Sequence, residues 1–193
     1  RYHPVRSGCV MADSIRHLTA FAFIAVVPLI LAACSSDNVA GGASGDAGVV
    51  AVKDLDVAGV SQKGPFLMGS SVTVQELDGQ TLVQTGKSFR ASIKSNQGDF
   101  VVKGVSLASQ YALLEVNGYY RNEISGERSK GVIALNALTD LSDRNHVNVN
   151  LMTHLTAYRI LKLVQNEGKT FADAKKQAER EVLNSFGVLN DMG

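Results

Sequence analysis

His154 lies between Thr153 and Leu155, with His146 and Asp143 upstream. A zinc site needs three or four such ligands at workable spacing, and the partners are missing here. His154 is therefore expected to be a satisfied histidine at a core boundary, and no metal is expected. Asp140-Leu141-Ser142-Asp143-Arg144-Asn145 offers oxygens that suit calcium. It lacks the glycine and the closing glutamate of a calcium loop, so a turn with Asx-type hydrogen bonds is expected. Glu115, Glu123 and Glu127 carry carboxylates. Glycoside hydrolysis needs two of them facing one cleft about 5–10 Å apart, and nothing in the spacing imposes that. No Gly-x-Ser-x-Gly elbow and no phosphate loop occurs. Tyr119, Tyr120 and Arg121 are the remaining candidates, able to stack on and hydrogen-bond a sugar from an exposed edge. No catalytic residue, cofactor or metal is assigned, and the chain is expected not to be an enzyme.

The elements that would position these residues begin with an apolar run from Leu18 to Leu31, preceded by Arg16 and His17. A basic start, an apolar middle and a small-residue end make a secretory signal, here Met11 to Ala33. As a helix, Leu18 to Leu31 would span roughly 21 Å at about 1.5 Å per residue, short of a bilayer core of roughly 30 Å. A true membrane-spanning anchor is the competing reading. Residues 1–10 precede the natural start at Met11 and read as upstream sequence or a fragment edge, which leaves Cys9 without a role.

The run closes on Leu31-Ala32-Ala33-Cys34, which resembles the lipobox of bacterial lipoproteins. The resemblance implies cleavage between Ala33 and Cys34, a diacylglyceryl thioether on the Cys34 sulfur and acylation of its new amino group. Two or more acyl chains anchor a protein stably, whereas one holds it only marginally. Ser35, in place of an acidic residue, implies an outer-membrane rather than inner-membrane destination in the cell envelope. The membrane, through this anchor, is the one partner so implied; a protein or glycan partner is left open.

From Cys34 on, the chain has 160 residues. They carry 16 basic and 17 acidic side chains, because Arg1, Arg6, Arg16 and Asp13 come earlier. That balance does not suggest nucleic acid as a partner. With Cys34 committed, no disulfide framework exists, so an ordinary hydrophobic core must supply stability. The absence of tryptophan argues against a sugar-binding module built on large aromatic platforms.

Ser35 to Gly48 is small and polar and cannot bury enough surface to offset backbone ordering. It is expected to be a flexible tether, with residues 34–51 as the linking stretch, reaching roughly 20 Å. The periodicity then changes. Val72, Val74 and Glu76 alternate with Thr73, Gln75 and Leu77, Asp78-Gly79 offers a hairpin turn, and Leu82-Val83 starts a return strand. Phe89, Ala91 and Ile93 alternate, Asn96-Gln97-Gly98 turns, and Phe100-Val101-Val102 follows. Tyr111 to Val116 is a dense apolar strand ended by Asn117-Gly118, and Val132 to Leu135 is another. Short strands at intervals of about ten residues predict an antiparallel β-sandwich over 52–138.

Gly59-Val60, Gly64-Pro65-Phe66-Leu67, Gly69-Ser70-Ser71-Val72-Thr73-Val74, Gly98-Asp99-Phe100 and Gly118-Tyr119 occur in that order. This order resembles carboxypeptidase regulatory-like domains, which are transthyretin-like sandwiches, over about Val57 to Tyr120. The chain departs from them in a longer middle segment, Thr85 to Ser95, and continues past their last strand. The resemblance implies a non-catalytic spacer, docking surface or folding aid. Gly64 through Leu155 is also similar to uncharacterised lipoproteins of gut and rumen bacteria, which implies location without an activity.

Residues 139–193 predict a junction and a helical hairpin. Asn148 and Asn150 are expected to satisfy backbone groups where strand gives way to helix. The first helix runs from about Asn150 to Gln165 with a stripe of Leu151, Leu155, Tyr158, Leu161 and Val164, widened by Met152, Ile160 and Leu163. Thr170 caps the second, whose stripe is Phe171, Ala174, Ala178, Val182 and Phe186, with Gly187 as its stop. The hairpin must pack on the sandwich or await further helices, and the end at Asp191-Met192-Gly193 reads as a truncation. The function expected is that of a membrane-anchored lipoprotein carrying a structural, spacer or binding module. The alternative is the front part of an envelope or polysaccharide-degrading enzyme whose catalytic region lies beyond residue 193.

Overall fold

The apolar density of Tyr111 to Val116 is explained by burial on both faces. A computed structural model describes residues 48–188. The signal segment, Ala33, Cys34 and nearly all of the tether lie outside those residues. The strands are β1 (Val52–Gln62), β2 (Ser71–Leu77), β3 (Gln84–Ser92), β4 (Asp99–Leu107), β5 (Tyr111–Gly118), β6 (Ile133–Asp140) and β7 (Val149–Asn150). Two helices follow, α1 (Leu151–Glu167) and α2 (Phe171–Ser185).

The strands form a three-stranded sheet, ordered β4-β1-β7, and a four-stranded sheet, ordered β3-β2-β5-β6. The fold is thus mainly β, a two-sheet sandwich followed by a helical hairpin. Its pairings are antiparallel except for β7, which lies parallel to β1 through Ser61↔Val149 and Gln62↔Asn150. Alternate residues meet between the sheets: Val72 and Val74 of β2, Ala112, Leu114 and Val116 of β5, and Val57, Phe100 and Val102 opposite. The intervening residues of β5 and β6 turn to the other face. There Leu113 and Leu138 join Leu77, Leu82, Ala157, Ile160, Leu163, Ala174 and Ala178 in a second core under the helices. β5 must therefore be apolar at consecutive positions, which a sheet with one wet face does not require.

Asp78-Gly79 stands in the loop that joins β2 and β3 as an antiparallel hairpin, and three other local expectations are corrected. The Asp78 N–H donates to the Val83 carbonyl (2.8 Å), and Asp78 Oδ1 accepts from Gln80 N, Thr81 N and Thr81 Oγ1. Those bonds hold the Asp78 carboxyl below its ordinary value, the Thr81 backbone contributing most. Leu82 starts no strand; it sits at φ 53° inside this loop and drops into the second core. Burial of a leucine there offsets the backbone cost of that conformation.

The expected α1 stripe is rotated. Ala157, Ile160, Leu163 and Val164 are buried, whereas Leu151, Leu155 and Tyr158 are exposed by 41, 39 and 58%. The physical reason lies at Asn136 of β6. Its N–H donates to His154 Nδ1 (3.2 Å), and its carbonyl accepts from Thr153 Oγ1 (3.0 Å). These bonds fix the rotation of the first helical turn, so residues in phase with Thr153 face inward. On α2, Ala174 and Ala178 are buried as expected, but Phe186 is 56% exposed.

The caps behave as expected. Asn150 Oδ1 accepts from Thr153 N (3.0 Å) while Thr153 Oγ1 accepts from Asn150 N (2.9 Å), a reciprocal capping box. Asn148 Oδ1 accepts from Val60 N (3.1 Å). Thr170 accepts from Asp173 N. Asn150→Ala is expected to cost about 1 kcal/mol of unfolding free energy, the usual worth of such a cap, and urea unfolding monitored by circular dichroism would read it. An unchanged midpoint would show that the box contributes nothing.

The two helices are also joined by Arg159, which donates to Glu181 from Nε (2.5 Å) and Nη2 (3.0 Å). That pair, with Gln177 second, lowers the Glu181 carboxyl from 4.5 to about 2. The same bond raises Arg159.

Candidate functional site

The first described residues meet the sandwich at one end. Val50 N–H donates to Gln110 Oε1 (2.8 Å), and Val49 lies against Gly79. Both contacts are at the end where β5 begins. Tyr119 and its neighbours follow the other end of β5, roughly 23 Å away at about 3.3 Å per residue. The loops 63–70 and 119–132 meet there, joined by Leu67 N to the Tyr119 carbonyl (2.9 Å) and Arg121 N to the Pro65 carbonyl (2.9 Å).

Tyr119, Tyr120 and Arg121 are not presented on one edge. Consecutive residues of extended chain point to opposite sides. Tyr120 turns inward, partly buried against the main core, with its ring centroid 6.4 Å from that of Phe66. Lys63 Nζ lies 5.4 Å from the Tyr120 ring. Tyr119 turns outward, 38% exposed, and Arg128 stacks on its ring with Cζ 4.6 Å from the centroid. Arg121 donates from Nη1 to the Gly126 carbonyl (2.9 Å), which closes its own loop.

Two shallow grooves flank this arrangement and share Arg128 and Val132. One, of about 400 Å³, is lined by Leu67, Met68, Ser70, Asn117, Tyr119 and these two. The other, of about 390 Å³, is lined by Tyr120, Asn122, Glu127, Lys130 and Ile133 with them. Met68, Val132 and Ile124 expose 66, 54 and 99% of their surface here. Arg128 and Met68 were not legible as site residues. The only sequence signal at Arg128 was its place in the turn-rich stretch Ser125 to Ser129.

The other candidates fall elsewhere. His154 Nδ1 accepts from Asn136 N, and its ring meets Tyr158 edge-on at 5.3 Å. An acceptor Nδ1 places the imidazole proton on Nε2. His146 lies beside Ala58 in a parallel bridge. Among the described residues no three His, Cys, Asp or Glu side chains gather as a metal site would require. Asp140 makes the Asx turn, accepting from Ser142 N (2.8 Å), and Asp143 pairs with Arg144 (3.1 Å). Glu115 lies on the outer face of the four-stranded sheet in a third groove with Thr73, Gln75 and Arg90, whereas Glu127 lines the groove by Tyr120.

One buried carboxylate lies in phase with Val72 and Val74 on β2. Glu76, 5% exposed, accepts from Thr85 Oγ1 (2.8 Å) and Ala108 N (2.6 Å), which ties β2 both to β3 and to the β4–β5 turn. Among the described residues no helix is long and apolar enough to cross a membrane. No protein-family model, no curated protein and no solved structure matches this chain.

Proposed function

We propose that this chain is a bacterial envelope lipoprotein, lipid-anchored through Cys34 in the outer membrane, whose sandwich is a non-catalytic structural or binding module. The observation that carries the reading is an order of segments. Arg16 leads into an apolar run, the run ends on Leu31-Ala32-Ala33-Cys34, and small polar residues separate that cysteine from the first strand at Val52. Each segment suits its neighbour: an export signal, an acylation point, a spacer and a folded body. The resemblance of Val57 to Tyr120 to carboxypeptidase regulatory-like domains supports a module without chemistry of its own. Residues 48–50 meet the sandwich beside Gln110 and leave the grooves around Arg128, at its other end, uncovered by them, which supports a binding role.

Mass spectrometry of the mature amino terminus tests the anchor. The wild-type chain is expected to begin at Cys34 with three acyl groups. Cys34→Ala is expected to lose all incorporated palmitate and all acyl mass. A mature chain that retains an unmodified Met11 would overturn the reading.

A further inference from the structure

We propose that the end of the sandwich opposite Val50 takes an extended polypeptide segment bearing a carboxylate, seated along the free edge of β6 with that carboxylate on Arg128. The inference rests on the reading of the sandwich as a binding module and is independent of the lipid anchor.

Arg128 supplies the charge. Its guanidinium lies over the Tyr119 ring, Cζ 4.6 Å from the centroid, and among the described residues it has neither a hydrogen bond nor an ion pair. A fixed planar fork with unused donors matches a carboxylate, which it can bind through two parallel hydrogen bonds. Stacking restricts the side chain beforehand, so less freedom is lost on binding. The surroundings are basic. Lys63, Arg121 and Lys130 lie on the same loops, and neither Glu123 nor Glu127 is ion-paired to any of them.

The strand edge supplies direction. Among the described residues β6 is the outer strand of its sheet and pairs only with β5. Asn136 turns its N–H and carbonyl away from β5, to His154 and Thr153. Alternation along an antiparallel strand turns the N–H and carbonyl of Ala134 the same way. Ala134 is exposed, so α1 covers this edge at Asn136 and leaves it open at Ala134, next in the strand to Ile133, which lines a groove with Val132 and Arg128. An extended segment pairing there would add a strand, with main-chain bonds for affinity and alternate side chains for specificity. Exposed Met68 and Val132 offer apolar contact next to the cation. A sugar is the poorer fit: Arg128 lies on the Tyr119 ring and Tyr120 turns to Phe66, which removes the stacking platform.

The test uses the full chain in detergent micelles and a fluorescein-labelled Gly-Thr-Val-Asp-Val-Thr amide, read by fluorescence anisotropy. Saturable binding is expected. Arg128→Gln, or Asn in place of the peptide's Asp, is expected to weaken it about tenfold or more, as loss of a charge-assisted pair does. N-methylation of alternate peptide residues is expected to abolish it. Arg128 is exposed, so a circular dichroism spectrum matching wild type checks that the variant folds. No saturable binding, equal binding by Arg128→Gln, equal binding of the N-methylated peptide, or binding of tetragalacturonate in place of the peptide would each overturn the proposal. An acylated Cys34 without peptide binding would sink this inference and leave the anchor standing; peptide binding by an unacylated chain would do the reverse.

Discussion

Phe66→Ala is expected to lower the unfolding free energy by about 3–5 kcal/mol, the range for removing a fully buried aromatic side chain. Phe66 lies between β1 and β2 and is 0% exposed. It belongs to no long strand, yet its ring fills the gap between the sheets at the end where Tyr120 closes over it, 6.4 Å between centroids. Alanine would leave a cavity that the surrounding backbone cannot collapse to fill. The Phe66 N–H is tied to the Ser61 carbonyl (3.2 Å), and Phe66 pairs with Tyr120 as an isolated bridge. Against a total of about 5–15 kcal/mol for a typical domain, the loss is large. Urea denaturation of the wild type and variant would show a lower midpoint at an unchanged slope. A change below about 1 kcal/mol would mean that the ring is not enclosed. Tyr120 would lose its partner as well, so the loop carrying Arg128 should loosen with the core.

Gly98→Ala is expected to be nearly as costly, at about 2–4 kcal/mol, for two separable reasons. Gly98 has φ +83°, which an L side chain rarely adopts and which costs about 1–2 kcal/mol. Its added Cβ would also stand 2.3 Å from the Ser61 carbonyl oxygen and 3.3 Å from Phe66 N. That oxygen accepts the Phe66 N–H, and Ser61 N donates to the Gly98 carbonyl (2.8 Å), so neither side can move without breaking a bond. Gly86→Ala is the control. Gly86 has φ +90° with nothing within 4 Å of an added Cβ, so it reports the backbone cost alone. Gly98→Ala should therefore be the more destabilising of the two in the same urea assay. Equal losses would show that the close approach to Ser61 has no energetic weight.

These two positions mark different degrees of legibility. Gly98 was readable as a turn residue because Asn96-Gln97-Gly98 stands between two apolar runs. Its contact with Ser61, 37 positions away, was not, because no local pattern encodes which strand folds back against a turn. Phe66 stood in a recognisable Gly64-Pro65-Phe66 motif, but its burial depends on Tyr120, 54 positions along the chain, closing over it. The same limit explains Leu82. Next to Asp78-Gly79 it read as the start of a strand, whereas the α1–α2 hairpin draws it into a loop conformation over the second core.

By itself the sequence determined the class of fold, the caps at Asn150 and Thr170, and the alternation that builds the main core. These follow from side-chain period, turn chemistry and orphan backbone groups, all of which act over a few residues. Tertiary structure alone decided the phase of α1, because two hydrogen bonds at Asn136 outrank the apolar stripe through Leu151, Leu155 and Tyr158. It also decided that Tyr119 and Tyr120 part company and that Arg128 comes to rest on the former. Such choices depend on which surfaces meet in space, and contacts between residues distant along the chain leave no spacing for a reader to count.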